Sequence, residues 1–169
     1  MKSETADWEL KRIPADAIAA ALERAKHYRA LNQPGQALSI CLDILEIEPD
    51  NQEALVLIIL AKSDLFADHS TRSEVRKAKD YVARLSDEFQ RHYYAGIIAE
   101  RQGAAFLQRG HAQVFAYEHY RDAMDHYAEA EKLSDHRTAD PLLRWNACLR
   151  AIRRERLRPQ PPDTPTLLE

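Results

Sequence analysis

Glycine is scarce in this chain, with four residues in 169. No glycine-rich loop of the kind that cradles phosphates is present, nor is a nucleophile elbow. Cysteine is nearly as rare. Cys41 and Cys148 lie 107 positions apart, fit no metal or redox spacing, and each falls on the apolar side of an expected helix, so buried free thiols suited to a reducing compartment are expected. The longest apolar run, ALVLIILA at 54–61, is too short to span a bilayer, and the opening MKSETADWELKRIP has no apolar core of signal-peptide length. Neither sign of charge dominates. A net charge of −3 predicts no overall attraction to nucleic acid or anionic membrane. β-Branched alternation over more than a few residues is also missing, whereas Ala, Leu, Glu, Arg and Gln are abundant. These features point to an all-α chain, expected to be soluble and cytoplasmic, of a size that suits one domain or one short repeat array.

Helical periodicity divides the chain. Residues 1–14 form a polar lead-in whose Trp8 is expected to cover the open side of the first helix. Pro14 and Asp16 start a helix that runs to about Leu31, and Asn32 to Gly35 make a turn. A second helix over about 36–47 turns Leu38, Cys41, Leu42 and Leu45 inward and stops before Pro49. Asp50 or Asn51 caps a third, to about Phe66, whose middle is apolar on every side and therefore belongs between neighbours on both flanks. DLFADHSTRS is read as a loop, with Ser70 or Ser73 capping a fourth helix to about Glu88. A fifth over 93–108 and a sixth over about 112–133 follow, separated by a stop at Gly110. Asp140 and Pro141 open a seventh, with Leu142, Trp145, Leu149 and Ile152 as its apolar stripe. The tail 158–169 is proline-rich and expected to be extended.

The first pair cannot bury its stripes alone, and the same pattern returns. Ala25-x2-Tyr28, then Ala37, then Pro49 resemble the tetratricopeptide repeat, whose paired helices keep small residues where they touch. Ala78-x3-Val82-x2-Leu85 echoes Ala37-x3-Cys41-x2-Ile44, and Ala123-x3-Tyr127-x2-Ala130 supplies a third copy. The anchors Ala37, Ala78 and Ala123 are 41 and 45 residues apart, against a family period of about 34, so the array is irregular. The resemblance covers about 16–157. It implies an all-α right-handed superhelix of antiparallel helix pairs, about seven helices, with pairs at 16–48, 51–88 and 91–134 and a capping helix at 140–157. Ala21, Arg24 and Cys41 depart from the family pattern. The family's chaperone-tail clamp is not expected, because Leu22 with Lys26, Leu55, and His92 with Gly96 stand where its Lys, Asn and Arg would be.

Such a family binds proteins, and its concave side is built from the first helix of each pair. The expected contacts there are Lys26, Arg29, Asn51, Ile58, Lys62, His92 and Ala99, with charge at the edges and apolar contact in the middle. Arg150, Arg153, Arg154, Arg156 and Arg158 crowd the end of the cap. They are read as dipole-favoured solubilising charge or as a dock for an acidic partner, not as a nucleic-acid site, since no aromatics are interleaved. Glu118, His119, Asp122 and His126 have the spacing of one helix face, but Ala116, Tyr120, Ala123 and Tyr127 oppose them, so a solvated side is preferred to a metal site. Gly96 and Gly103, interior to a helix, imply close approach of a neighbouring one. The aromatics Tyr93, Tyr94, Phe106, Phe115, Tyr117, Tyr120 and Tyr127 are read mostly as core, with one or two free to anchor a peptide. The functional expectation is an adaptor that binds a peptide or partner helix, with no catalysis, no cofactor, no metal, no nucleic acid and no membrane. The alternative is a self-assembling subunit that pairs through the third copy or the cap.

Overall fold

A computed structural model describes residues 8–69, 72–110, 113–135 and 138–160. The described residues are helical, with no strand. A 3-10 turn at Ala15–Ala17 leads into α1 (Ile18–Ala30), α2 (Pro34–Leu45), α3 (Gln52–Asp64), the four-residue α4 (Phe66–His69), α5 (Arg72–Ala83), α6 (Glu88–Gln108), α7 (Gln113–Ser134) and α8 (Asp140–Arg154). Each long helix packs on its neighbours in the chain. In addition α1 touches α3, and α3 touches α6, across the helices between them.

Local chemistry sets most of the ends. Pro34 sits in the first turn of α2, where its missing N–H costs nothing. Asn51 caps α3 by accepting from the Ala54 amide at 2.9 Å, and Asp87 caps α6 by accepting from the Phe89 amide at 3.2 Å. Asn32, Gly110 and Asp135 close α1, α6 and α7 in the left-handed region that suits those residue types. Because Asp87 starts α6 there, the helix expected from Tyr93 begins five residues earlier, and α5 ends at Ala83 instead of about Glu88. Within the expected loop 64–73, Phe66 is 1% exposed and holds the short α4 against α6. Arg109 fastens it by donating to the Phe66 carbonyl at 2.9 Å. Ser73 lies inside α5, and Ser70, most of the tail and residues 1–7 fall outside the described residues.

The core runs the length of the molecule in three connected parts. Ile18, Leu22, Ala25, Ala37, Cys41 and Ile44 join α1 and α2 to α3. Leu55, Ile59, Phe66, Val75, Ala78, Val82 and Ile98 join α3 to α5 and α6. Ile97, Ala116, Tyr120, Ala123, Met124, Tyr127, Cys148 and Ala151 join α6, α7 and α8. The all-round apolar α3 serves the first two, with Ala54, Leu55, Leu57, Ile58, Ile59 and Ala61 buried. Each of its large aliphatics stabilises the fold by about 1.5–3 kcal/mol. Trp8, by contrast, is 79% exposed and does not close the side of the first helix, and Leu142 points out of α8, whose buried positions are Pro141, Cys148 and Ala151.

Gly96 and Gly103 mark where α6 and α7 come closest. A Cβ on Gly96 would lie 2.6 Å from the Tyr127 ring, and one on Gly103 would lie 3.1 Å from the Tyr120 ring. Since the later glycine meets the earlier tyrosine, the two helices run antiparallel.

Candidate binding surface

The helices α1, α3, α6 and α8 place charge on one another's flanks. Asp64 is the last residue of α3, where the helix dipole disfavours a carboxylate. Two guanidiniums offset this. Arg29 of α1 donates from Nε to Asp64 Oδ2 at 2.7 Å and from Nη2 to Oδ1 at 3.3 Å, and Arg101 of α6 approaches Oδ1 at 3.4 Å. The residue before it on α6 turns toward α7 and α8. Glu100 accepts from the Tyr127 hydroxyl at 2.6 Å and from Arg144 of α8 at 3.2 Å. Burial, reinforced by the Glu100 charge, pushes the Tyr127 phenol far above its usual range. Burial works against the Arg144 cation, but Glu100 and a hydrogen bond to Tyr93 more than offset it. Two adjacent residues of α6 thus tie α1 and α3 on one side and α7 and α8 on the other.

The residues expected on the concave side fare differently. Arg29 belongs to the Asp64 cluster. Lys26 is exposed and pairs with Glu23 at 2.6 Å and with Glu53 of α3 at 2.5 Å, which raises its pKa. Lys62 pairs with Glu74 at 3.2 Å, and Lys77 shares that carboxylate. Asn51 is occupied as the α3 cap, its amide also donating to Glu48. Ile58 and Ala99, expected to supply the apolar middle, are 0% and 1% exposed and are core residues with no surface to offer. His92 is half-buried, its ring 5.8 Å from that of His126, and its Nδ1 has no hydrogen-bond partner among the described residues.

Sequence reasoning missed Asp64, Glu100, Arg101 and Arg144. One signal was available: an acid in the last turn of a helix is locally unfavourable and calls for a cation brought by the fold. The others carry no local signal, because their partners are 27 to 44 positions away.

The remaining candidates separate. His119 lies against the Phe106 ring at 5.0 Å, whereas His126 faces His92 and stands 3.8 Å from Asp122. Burial lowers the His126 pKa, with Asp122 opposing that shift and His92 and Lys79 adding to it. Among the described residues no three His, Cys, Asp or Glu side chains are placed to hold a metal ion. Both thiols are buried and free, and burial pushes each up to about 12, which leaves them protonated and unreactive near neutral pH. Arg150, Arg153, Arg154 and Arg156 are exposed at the end of α8. No helix among the described residues is long and apolar enough to cross a membrane. No family model matches the chain, and no curated protein or solved structure matches it either.

Proposed function

We propose that the chain is a protein-binding adaptor, a short irregular tetratricopeptide-like array that takes an extended peptide or partner helix across the surface shared by α1, α3, α6 and α8. It acts by binding and not by catalysis, in a reducing compartment such as the cytoplasm, where its two buried thiols stay free.

The observation that carries this reading is the imbalance at Asp64. Arg29 and Arg101 share that single carboxylate, Arg29 at 2.7 Å and Arg101 at a longer 3.4 Å, and among the described residues the Arg101 Nε has no acceptor. The Arg101 side chain is 37% exposed, so the outer edge of its guanidinium can take a partner carboxylate or backbone carbonyl beside its long contact with Asp64. The contacts of α1 with α3 and of α3 with α6 support the same reading, since alternate helices side by side are what a continuous recognition face needs. The half-buried Tyr93 and Tyr94 on α6 give it aromatic neighbours, with rings 5.3 Å apart.

The test is capture from the host lysate with the full chain, beside an Arg101→Gln bait of unchanged far-UV circular dichroism and a Lys132→Gln control bait. Each captured protein is then purified and titrated against all three. A partner that binds the native chain and the Lys132 variant but binds Arg101→Gln about tenfold more weakly supports the reading. Partners indifferent to Arg101 would remove this face from consideration.

A further inference from the structure

The exposed side of α8 is a second surface, independent of the one above. At about 100° per residue, Leu142, Leu143, Asn146, Ala147, Arg150, Arg153 and Arg154 fall on one face of the helix, opposite the buried Pro141 and Cys148. Leu142 is 45% exposed and Leu143 58%. This strip is sorted along its length, with two leucines in the first turn, three arginines toward the end, and no acidic residue among the seven, Asp140 being exposed at its edge in the first turn. Arg156 and Arg158 follow the end of the helix and are exposed. From Arg150 to Arg158 five arginines stand against one acid, Glu155, on a chain whose net charge is −3. Among the described residues the only ion pair made by these five is Arg154 with Glu155, at 2.7 Å.

Helix-end electrostatics accounts for part of this. Arg153 and Arg154 occupy the last turn, where the dipole favours cations. It does not account for Arg156. That residue closes α8 with φ 55°, letting the Leu157 amide reach the Ile152 carbonyl at 2.9 Å and seating Leu157 in the core. Glycine makes this closure without the strain of a Cβ. The other three left-handed helix ends among the described residues use Asn32, Gly110 and Asp135, which tolerate that conformation. Only here does a long cationic side chain hold a position at which folding favours another residue, so its charge is the feature with a use.

We infer that this strip docks an acidic segment of another protein, one carrying a leucine pair beside a run of Asp or Glu. The leucines seat against Leu142 and Leu143, and the carboxylates lie along Arg150, Arg153, Arg154 and Arg156. The face is about 18 Å long, the length of about six extended residues. Nucleic acid fits less well, since the strip offers no aromatic for a base to stack on and its leucines gain nothing from phosphate. A bilayer surface fits less well too. An interfacial helix carries its apolar stripe along its whole length, and here exposed leucine is confined to the first turn.

The test uses the full chain and a fluorescent peptide of a leucine pair joined to a glutamate run, read by anisotropy. Single-stranded oligothymidine and phosphatidylserine vesicles serve as competing probes. The peptide should bind and weaken steeply with added salt. Arg153→Glu/Arg154→Glu should weaken it about tenfold, and Leu143→Ser should weaken it with little change in the salt dependence. Arg156→Gly should weaken it while raising Tm by about 3 °C. Binding unchanged in Arg156→Gly would overturn the inference, as would oligothymidine or vesicles binding more tightly than the peptide. An equal loss in the Lys132→Glu control would reduce the effect to overall charge and also overturn it. A concentration-dependent dimer by sedimentation, lost in Leu143→Ser, would reassign the strip to a second copy of the chain.

Discussion

The two ends of the molecule bring helices together by different means. Around α1, α2 and α3 the small residues of the core are alanines, with Ala25, Ala37, Ala54 and Ala61 inaccessible among aliphatic side chains. Between α6 and α7 the fit is glycine against tyrosine, Gly96 on Tyr127 and Gly103 on Tyr120. The aromatic solution buries more area per residue but brings a hydroxyl inside with it. The Tyr127 hydroxyl needs an acceptor, Glu100 provides it, and a half-buried carboxylate in turn needs the Arg144 cation. A polar chain across three helices follows from one choice of core residue. Among the described residues the alanine end has no fully buried tyrosine, and its half-buried ion pair, Arg29 with Asp64, joins α1 to the end of α3 without one.

The sharpest way to break this comparison is Tyr127→Ala. It leaves a large cavity and strands Glu100, and should cost about 3–5 kcal/mol by chemical denaturation. Ile58→Val in the aliphatic end should cost only about 0.5–1.5 kcal/mol. Similar losses from the two would show that the ends do not differ in kind. Next comes Gly96→Ala, where the gain in helix propensity is about 1 kcal/mol but the new methyl meets a fixed ring. We expect a net loss of about 1–2 kcal/mol, while Gly103→Ala, whose contacts are looser, should fall near zero. Reversal of that order in thermal melts would remove the close-packing explanation.

Base should act mainly on the aromatic end. Burial raises the phenols of Tyr94, Tyr120 and Tyr127 and the thiol of Cys148, Tyr120 and Cys148 each to about 12, whereas the aliphatic end has only Cys41 among such groups. A buried acid with a raised pKa keeps its proton in the folded chain and loses it first in the unfolded one. Its contribution is therefore complete below the ordinary values of 9.0 and 10.0 and is lost as pH climbs through the folded values. Stability should decline from about pH 9 upward, and tyrosine fluorescence and hydrogen exchange should show α6 and α7 opening before α1 and α2. Opening in the reverse order would contradict the assignment. The smallest effect is at the caps. Asn51→Ala and Asp87→Ala should each cost about 1 kcal/mol, with exchange of first-turn amides rising in α3 and α6 respectively.

Much of the helix order was legible in the sequence because amphipathic spacing and turn residues are local. Asn51 as a cap, the break at Gly110 and the close approach at Gly96 and Gly103 could all be read from neighbours within a turn or two. Where reading failed, a distant partner decided. Phe66 nucleates a short helix in an expected loop because α6 receives its ring. Asp87 outweighs the apolar pattern that suggested a later start for α6. Ile58 and Ala99 sit on helices that line the expected surface, yet their own side chains turn inward, a matter of rotation about the helix axis that edge errors of a few residues obscure. Leu142 and Trp8 have the character of core residues and are exposed, since burial depends on whether anything is there to cover them.

By itself the sequence determined that the chain is helical, how many long helices it has, and which stripe of most of them is buried, because propensity and periodicity act over three or four residues. Only the tertiary structure decided which charges meet. Arg29, Asp64 and Arg101 come from three helices, and Glu100, Tyr127 and Arg144 from three as well. Side chains tens of residues apart carry no mark of one another until packing lowers the local dielectric and makes their pairing strong.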